Sequence, residues 1–419
     1  MTAPSIAPTI SHRPTIADWQ YDALEVLNQQ IWDRRLPMSR RAAASQTLAN
    51  FIRDTGIEQR LREHGDCLRR GIPDPRELED NDTIVRLMTE KNFDPKLKQK
   101  YGIFREFSEA FVDENGKQVG AADFVVSLND KETAKRTGSA ISIHITYIVT
   151  DKSVRNPEVN KLIFNKVTEI AYNFSNKHQP KLTKDYPKAL LTIEQNKFDD
   201  MSYKKLSEDS ISPFSRAFLW LHNGLGTFDF EYEQPKLTPK GKPAANLDLL
   251  GAMVEFDPTK IGQGRCYKVL KAGVDADYLG TAIEKFFAIT CVKSAHLDND
   301  ASVLKVRKSL QAKKNAQGKV LVLDRKAVKD DIEKARQSFK RLHLEVIPSV
   351  LFSGVARHGF RNRPFGEFWR ELEDRFDSIE EALKYLGGFI PEGTKKREPD
   401  QVFWFDDKKR RCPGAPAPA

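Results

Sequence analysis

The hydrophobic pattern changes period along the chain. From residue 16 to about 68, apolar residues recur every three or four positions, the spacing of amphipathic helices. DWQYDALEVLNQQIW opens that segment with Asp18 placed to cap a helix. SRRAAASQTLANFIRDTG follows and closes on Gly56 at a C-cap position. A Pro/Asp-rich hinge, GIPDPRELEDND, covers residues 71–82. The period then drops to two. FREFSEAFVDENGKQVGAADFVVSL predicts two strands around the turn DENGK, where Asn115-Gly116 supplies positive φ.

Beyond the hairpin, strands and helices alternate. SAISIHITYIV predicts a strand and NPEVNKLIFNKVTEIAYNFSNK a helix. ALLTIEQ predicts a strand, PFSRAFLWLHN a helix and TFDFEYEQ a strand. The order predicts a mixed α/β layer. Residues 277–310 read as helical, and KVLVL at 319–323 begins a further β–α–β-like segment.

The turn between the SAISIHITYIV strand and the next helix is a well-built helix start. Asn156 caps, Pro157 suits the first helical position and Glu158 complements the positive helix end. Val159, Leu162, Ile163, Val167 and Ile170 form an apolar face for a sheet. A helix start fed directly by a strand offers backbone N–H groups to an anion.

The hairpin ending GKQVGAADFVV, the next strand, this turn and helix, and LLTIEQN together resemble the GNAT superfamily of acyl-CoA N-acyltransferases. The later stretch SRAFLWLHNGLGTFDFEYEQPKLTPKGKP is similar to a GNAT subgroup with a Tyr-x-Gln-Pro-x-Leu element, here Tyr232, Gln234, Pro235 and Leu237. The resemblance covers roughly residues 83–310. It implies a fourth strand that bulges and offers backbone amides to a thioester carbonyl, with the fourth and fifth strands splayed to form a cleft. On that basis Ile148 and Val149 hold the acyl end. Arg155, Asn156, Val159, Asn160 and Lys161 hold the CoA phosphates. Glu194 is the general base, and Tyr147, like His144 on the same strand, lines the acceptor cleft as a catalytic candidate. The plain alternative for Glu194 is a strand carboxylate paired with a surface Lys. Tyr232 is a hydroxyl donor or a packing residue, with packing preferred.

Two positions depart from the family pattern. Glu158 and Asn160 stand where the family has the two glycines of its pyrophosphate turn, and glycine lets backbone approach phosphate without a Cβ in the way. Trp220 stands where many members have the Tyr that protonates the leaving thiolate, and an indole cannot do so. Gly262-Gln263-Gly264-Arg265 looks more like a phosphate loop, but it follows the Tyr-x-Gln-Pro element and reads as a surface turn.

Composition excludes more than it identifies. The four cysteines (Cys67, Cys266, Cys291, Cys412) are scattered without a CxxC pair, so neither zinc nor disulfides are expected, and a cytoplasmic location is the default. No apolar run approaches a bilayer span, and the N-terminus has no secretory signal pattern, so no membrane partner is expected. The formal net charge of +9 comes from 68 basic and 59 acidic residues. That favours anions in general. Residues 354–369 interleave Arg and His with Phe and Gly, but nucleic acid is not the favoured partner.

The expected fold class is α/β (α+β), a GNAT-like mixed sheet flanked by helices. The expected divisions are a loose N-terminus (1–14), an N-terminal helical segment (15–80), a GNAT-like domain (81–312), a C-terminal α/β extension (313–411) and a disordered tail (412–419). The expected function is transfer of an acyl group, acetyl from acetyl-CoA, to an amine acceptor by direct attack on the thioester, without a metal. The competing expectation is a catalytically degenerate GNAT-fold module that binds a protein or nucleic acid.

Overall fold

The computed structural model describes residues 10–72, 78–151, 154, 157–196, 220, 223–228, 230–235, 247–270, 273–320 and 322–323. Arg155, Asn156, the 213–223 helix apart from Trp220 and Asn223, Leu237, and everything expected beyond residue 323 lie outside them. The chain divides into two compact units, 1–194 with 227–322, and 195–226 with 323–419. Nearly every described residue belongs to the first. In the second, Trp220 is buried and its carbonyl accepts from the Leu225 N–H at 3.0 Å.

The N-terminal helical segment is three helices, α1 (Asp18–Trp32), α2 (Met38–Asp54) and α3 (Ile57–Gly71). Asp18 is the first residue of α1 and not its cap. The cap position is Ala17, and the Gln20 Oε1 accepts from the Ala17 N–H at 2.9 Å. Gly56, at φ 68°, separates α2 from α3, the left-handed conformation expected of a helix-ending glycine. Ser11–Pro14, expected to be loose, is a strand (β1) paired antiparallel with β2 (Phe104–Val112). Two short helices, α4 (Asn81–Thr89) and α5 (Pro95–Tyr101), lead into β2.

The hairpin forms as expected, β2 against β3 (Gln118–Leu128), with the Asp113 Oδ1 taking the Asn115 and Lys117 N–H groups and Gly116 at φ 76°. A short helix, α6 (Lys131–Thr137), not anticipated from the sequence, precedes β4 (Ser139–Thr150). Then follow α7 (Pro157–His178), α8 (Pro180–Asp185) and β5 (Lys188–Asn196). The TFDFEYEQ stretch is strand only at β6 (Gly226–Phe228). Two strands were not anticipated: β7 (Leu247–Phe256) and β8 (Tyr267–Leu270), joined by an exposed turn in which Gly262 and Gly264 take φ 77° and 107°. The 277–310 stretch is interrupted: α9 (Ala276–Phe286) runs into a π-helical turn, Phe287–Cys291, and α10 (Ala301–Lys313) follows. Lys319–Val320 (β10) pairs with Val274–Asp275 (β9).

The main sheet runs β1-β2-β3-β4-β5-β7-β6, with β8 on β7. β1 to β4 are antiparallel neighbours, and β4 and β5 are parallel. The sheet is therefore mixed, and helices cover both of its faces. On one face Phe107 stacks on Phe124 (centroids 5.1 Å) and meets Phe174 of α7 and Tyr21 of α1 edge-on. Arg105, 3 % exposed, lies 4.4 Å from the Tyr21 ring centroid and 4.9 Å from that of Phe174, with Glu25 at 3.9 Å. Its charge is met by π faces and one carboxylate. On α7 the buried face is Val159, Ile163, Phe164, Val167 and Ala171. Leu162, expected on it, is 42 % exposed, because the helix is rotated to bring Phe164 inward. The opposite sheet face packs Val125, Leu190 and Leu249 against Tyr278, Leu279, Ile283, Phe286 and Phe287.

Gly251 on β7 shows how tightly this sheet closes. A Cβ there would stand 2.4 Å from the Leu191 carbonyl and 2.7 Å from the Phe228 ring. Gly251→Ala is expected to destabilise the fold by about 1–3 kcal/mol, the range for overpacking. Chemical denaturation checks this; unchanged stability would mean that β5 and β7 can separate freely.

Candidate active site

One residue in β4 breaks the pairing. Phe124 faces Ile145 and Asp123 faces Tyr147, so Thr146 has no opposite number on β3 and forms a bulge. On its other edge β4 pairs with β5 from Ser139 to Ile145, the last pair being Ile145 with Ile193. Both strands continue, β4 to Thr150 and β5 to Asn196, past that last pair. The strands therefore part at the bulge, and the Thr146 Oγ1 is buried there with no partner among the described residues.

The bulge also resets which side chains share a face. Residues alternate along a strand, so His144 and Tyr147 would ordinarily face opposite ways. Val125 is opposite His144 and Asp123 is opposite Tyr147, and Val125 and Asp123 lie on one side of β3. The extra residue thus brings Tyr147 to the His144 side. His144 pairs with Thr192 across the parallel ladder, and Glu194 follows Thr192 on the same side. Asp123, Tyr147, His144, Thr192 and Glu194 consequently line one face.

Glu194 is held from outside its strand. The Tyr232 hydroxyl donates to Oε1, and the Gln234 amide donates to Oε2 at 2.9 Å. The same amide lies 3.4 Å from the Cys291 Sγ. Both donors come from the extended segment after β6. Tyr232 packs against Phe230 and against Phe287, the first residue of the π-helical turn that ends at Cys291. Turns of this kind recur at functional sites because they re-aim one side chain within a helix.

Burial pushes the Glu194 carboxyl up to about 7, against the Tyr232 hydrogen bond, which favours the charged form. Such a group is part-ionised near neutrality and can take up a proton. Burial and the Glu194 charge push the Cys291 thiol well above its usual range, so it is a packed thiol and not a nucleophile. Tyr232 is likewise raised by burial and by Glu194, and stays a hydroxyl donor. His144 stacks on Phe286 (centroids 3.4 Å), and its Nδ1 meets the Thr192 Oγ1 at 2.9 Å. Burial lowers it to about 3, so it is neutral.

The Asp123 Oδ1 accepts from the Nε2 of the fully buried His64 at 2.7 Å. Glu106 on β2 lies opposite Val125, on this same face. Burial, and secondarily the Asp123 charge, push it up to about 8. No hydrogen bond or ion pair to its carboxylate occurs among the described residues.

The other expected site residues are placed as follows. Tyr147 lies against Cys67, Leu68, Ala121 and Val149, beneath α3. Ile148 faces Ala122, on the opposite side of the sheet from Tyr147, and Val149 is buried beside Ala121. Val159 and Asn160 are buried in the first turns of α7, while Lys161 is exposed. Glu194 and Tyr147 thus share a face, and the α7 residues belong to another element. Tyr232, read mainly as packing, and Gln234 prove to be the groups that hold Glu194. Their signal in the sequence was the Tyr-x-Gln-Pro element itself. Asp123, Glu106, His64 and Cys291 carried no such signal.

A mixed sheet whose bulged fourth strand parts from a parallel fifth has the GNAT-like fold that the sequence resemblance implied. No family model matches the sequence, and neither does any curated protein. Solved structures align with it loosely. One is a provisionally assigned acetyltransferase from Acinetobacter baylyi ADP1 (13 % identity, 48 % of this chain and 89 % of that one, TM-score 0.26). Another is a spermidine N-acetyltransferase from Vibrio cholerae in complex with CoA and spermine (9 %, 58 % and 95 %, TM-score 0.25). A third is a Bacillus subtilis acetyltransferase in complex with CoA (10 %, 34 % and 75 %, TM-score 0.19). Overlaps this loose have no bearing on function. No described helix is long and apolar enough to cross a membrane, and no metal-binding group of His, Cys, Asp and Glu occurs among the described residues.

Glu106 offers a direct check on this electrostatic picture. Its folded value of about 8 lies above the ordinary 4.5, so the folded chain binds the extra proton between them. The stability linked to this group is therefore present below about pH 4.5 and lost as pH rises towards 8. Glu106→Gln removes that loss. The melting temperature of the variant relative to the wild type is expected to climb over this window, and a pH-independent difference would contradict the burial of the carboxyl.

Proposed function

We propose that this protein is an acyl-CoA-dependent N-acyltransferase that transfers an acetyl group to a primary amine. The observation that carries the reading is Glu194: a buried carboxyl near 7, held by Tyr232 and Gln234 on the face where β4 and β5 part. Acyl-CoA, when bound, supplies the activated acyl group. The bulge suits its acyl end, since the Thr146 hydroxyl is buried there without a partner among the described residues. Ile148 and Val149 are the neighbouring backbone beyond the bulge, and Arg155, Asn156, Val159, Asn160 and Lys161 are the candidates for its phosphates.

This chain's own groups do three things. The splayed strands admit an amine to the face that carries Glu194 and Tyr147. Glu194 takes the proton that the amine must lose to become a nucleophile. Tyr232 and Gln234 hold both carboxylate oxygens, so that the carboxylate is presented in one orientation. The alternative reading of Glu194, a strand carboxylate paired with a surface Lys, has no support among the described ion pairs.

Two measurements test the reading. Acetyl-CoA titrated onto the full chain is expected to bind in the micromolar range, and an absence of binding would leave the degenerate binding module in its place. Glu158→Gly is expected to tighten that binding, because it removes a Cβ and a negative charge from the start of α7. With a primary amine as acceptor, Glu194→Gln is expected to lower kcat by about 10²–10⁴. The wild-type rate should rise with pH through an apparent pKa near 7. Tyr232→Phe removes a hydrogen bond that favours the carboxylate, so that limb should move to higher pH. A limb that stays in place would mean that Glu194 is not the base.

A further inference from the structure

The N-terminal helices carry a second arrangement, which acyl transfer does not use. The last turns of α1 and the start of α5 wall a groove of about 760 Å³, within the range of about 300–1,000 Å³ that ligand sites occupy. Gln29 and Gln30 line it from α1, with Trp32 at the helix end, and Gln99 lines it from α5. The charged groups within it are already matched. Glu25 takes Lys98 at 2.6 Å, and Asp33 takes the Arg35 Nε at 2.9 Å and Nη2 at 3.0 Å. What the groove leaves over is an indole and three carboxamides. Trp32 is 40 % exposed and stacks on no ring among the described residues. The side chains of Gln29, Gln30 and Gln99 have no hydrogen-bond partner among them either.

Arginines crowd the turn that follows Trp32. The eight residues RRLPMSRR, 34–41, hold four of them. Arg35 is taken by Asp33, but Arg34, Arg40 and Arg41 pair with no carboxylate among the described residues. Arg40 and Arg41 stand in the first turn of α2, which holds no acidic residue and whose cap position is Pro37, without a side-chain cap. Three unpaired guanidinium groups beside the positive end of a 17-residue helix attract phosphate.

We infer that this groove binds single-stranded nucleic acid, with one base stacked on Trp32 and the flanking phosphates on Arg34, Arg40 and Arg41. Every base has a π face, and guanidinium meets phosphate through two parallel hydrogen bonds, so an indole beside arginines suits such a strand. The carboxamides carry donors and acceptors together, as base edges do. They also set the groove apart from a lipid-binding surface, because acyl chains would leave them and the Glu25–Lys98 pair without water. A duplex presents no open base face to Trp32. The binding does not require acyl-CoA, so its failure leaves the acyltransferase reading where it stands.

The test is fluorescence anisotropy on the full chain with labelled oligo(dA) and oligo(rA) of about 12 nucleotides, within the span of single-strand sites, and with an abasic strand of equal length. Both base-bearing strands are expected to bind, the tighter one naming the class of nucleic acid. Loss of the bases should weaken binding at least about fivefold, and Trp32→Ala should cost the base-bearing strands the same factor and the abasic strand nothing. Replacing Arg34, Arg40 and Arg41 by Ala should reduce the slope of log affinity on log salt by about 2, the value for three phosphates on a single strand. Trp32, Arg34 and Arg40 are exposed, so changes there should leave the melting temperature unaltered. If the triple variant melts early, Arg34→Ala with Arg40→Ala should still lower the slope by about 1.4. Equal affinity for the abasic strand, an affinity unchanged in Trp32→Ala, or binding of phosphatidylserine vesicles without binding of either oligonucleotide overturns the proposal.

Discussion

A single unpaired residue, Thr146, sets the geometry on which the rest of the site depends. β4 must satisfy an antiparallel ladder with β3 on one edge and a parallel ladder with β5 on the other. The two ladders have different hydrogen-bond patterns, and one inserted residue cannot keep phase with both. The β3 ladder resumes after the bulge, and the β5 ladder ends at Ile145. That one insertion separates two strands, turns Tyr147 onto the His144 face and leaves Glu194 on a strand end that has lost its β4 neighbour.

Glu194 then has to be accommodated without the sheet. A buried carboxyl that lacks donors is held protonated by the cost of removing its charge from water, while one with too many charged donors becomes a fixed anion of little use as a base. Two neutral donors, the Tyr232 hydroxyl and the Gln234 amide, fall between these cases. They come from one segment, two residues apart, so both reach the same carboxylate only if the backbone there is extended and off the sheet. β6 stops at Phe228, which allows it. The Phe287 ring of the π-helical turn braces Tyr232, and Cys291 at the end of that turn closes the remaining side of Gln234.

Much of this was legible in the sequence, and the failures have identifiable causes. The change of period from helical to alternating located α1 to α3, the hairpin, β4, α7 and β5. Glu194 entered through the family resemblance, which set it on the fifth strand as the candidate base. The role of Tyr232 and Gln234 was not, since TFDFEYEQ alternates as a continuous strand would, and only a contact 38 to 40 residues away draws its second half off the sheet. Asp18 has the chemistry of a helix cap, but the Gln20 side chain already takes the Ala17 N–H, and the helix starts one residue later. LDLLGAMVEF was passed over because it is buried along nearly its whole length and shows no alternation. Glu106 and Asp123 occupy hairpin positions that the alternating pattern alone does not mark out. α3, from the N-terminal segment, covers that part of the sheet, through His64, Cys67 and Leu68.

The formal net charge of +9 bears on the ligands in a way that the sum conceals. Net charge governs the long-range field, which draws anions such as a phosphorylated cofactor towards the chain. A binding face, however, is governed by charges within a few ångströms in a medium of low dielectric, where screening is weak. There the sheet presents Glu106, Asp123 and Glu194 on one face: His64 meets Asp123, Tyr232 and Gln234 hold Glu194, and burial keeps the Glu106 proton up to about pH 8. On the other face Arg105 is enclosed by rings, and Glu109 stands beside His12. The face that carries Glu194 is therefore rich in carboxyl groups although the chain as a whole is basic. The sign of the cleft and the sign of the chain are set by different residues, and only the first selects what lies beside Glu194.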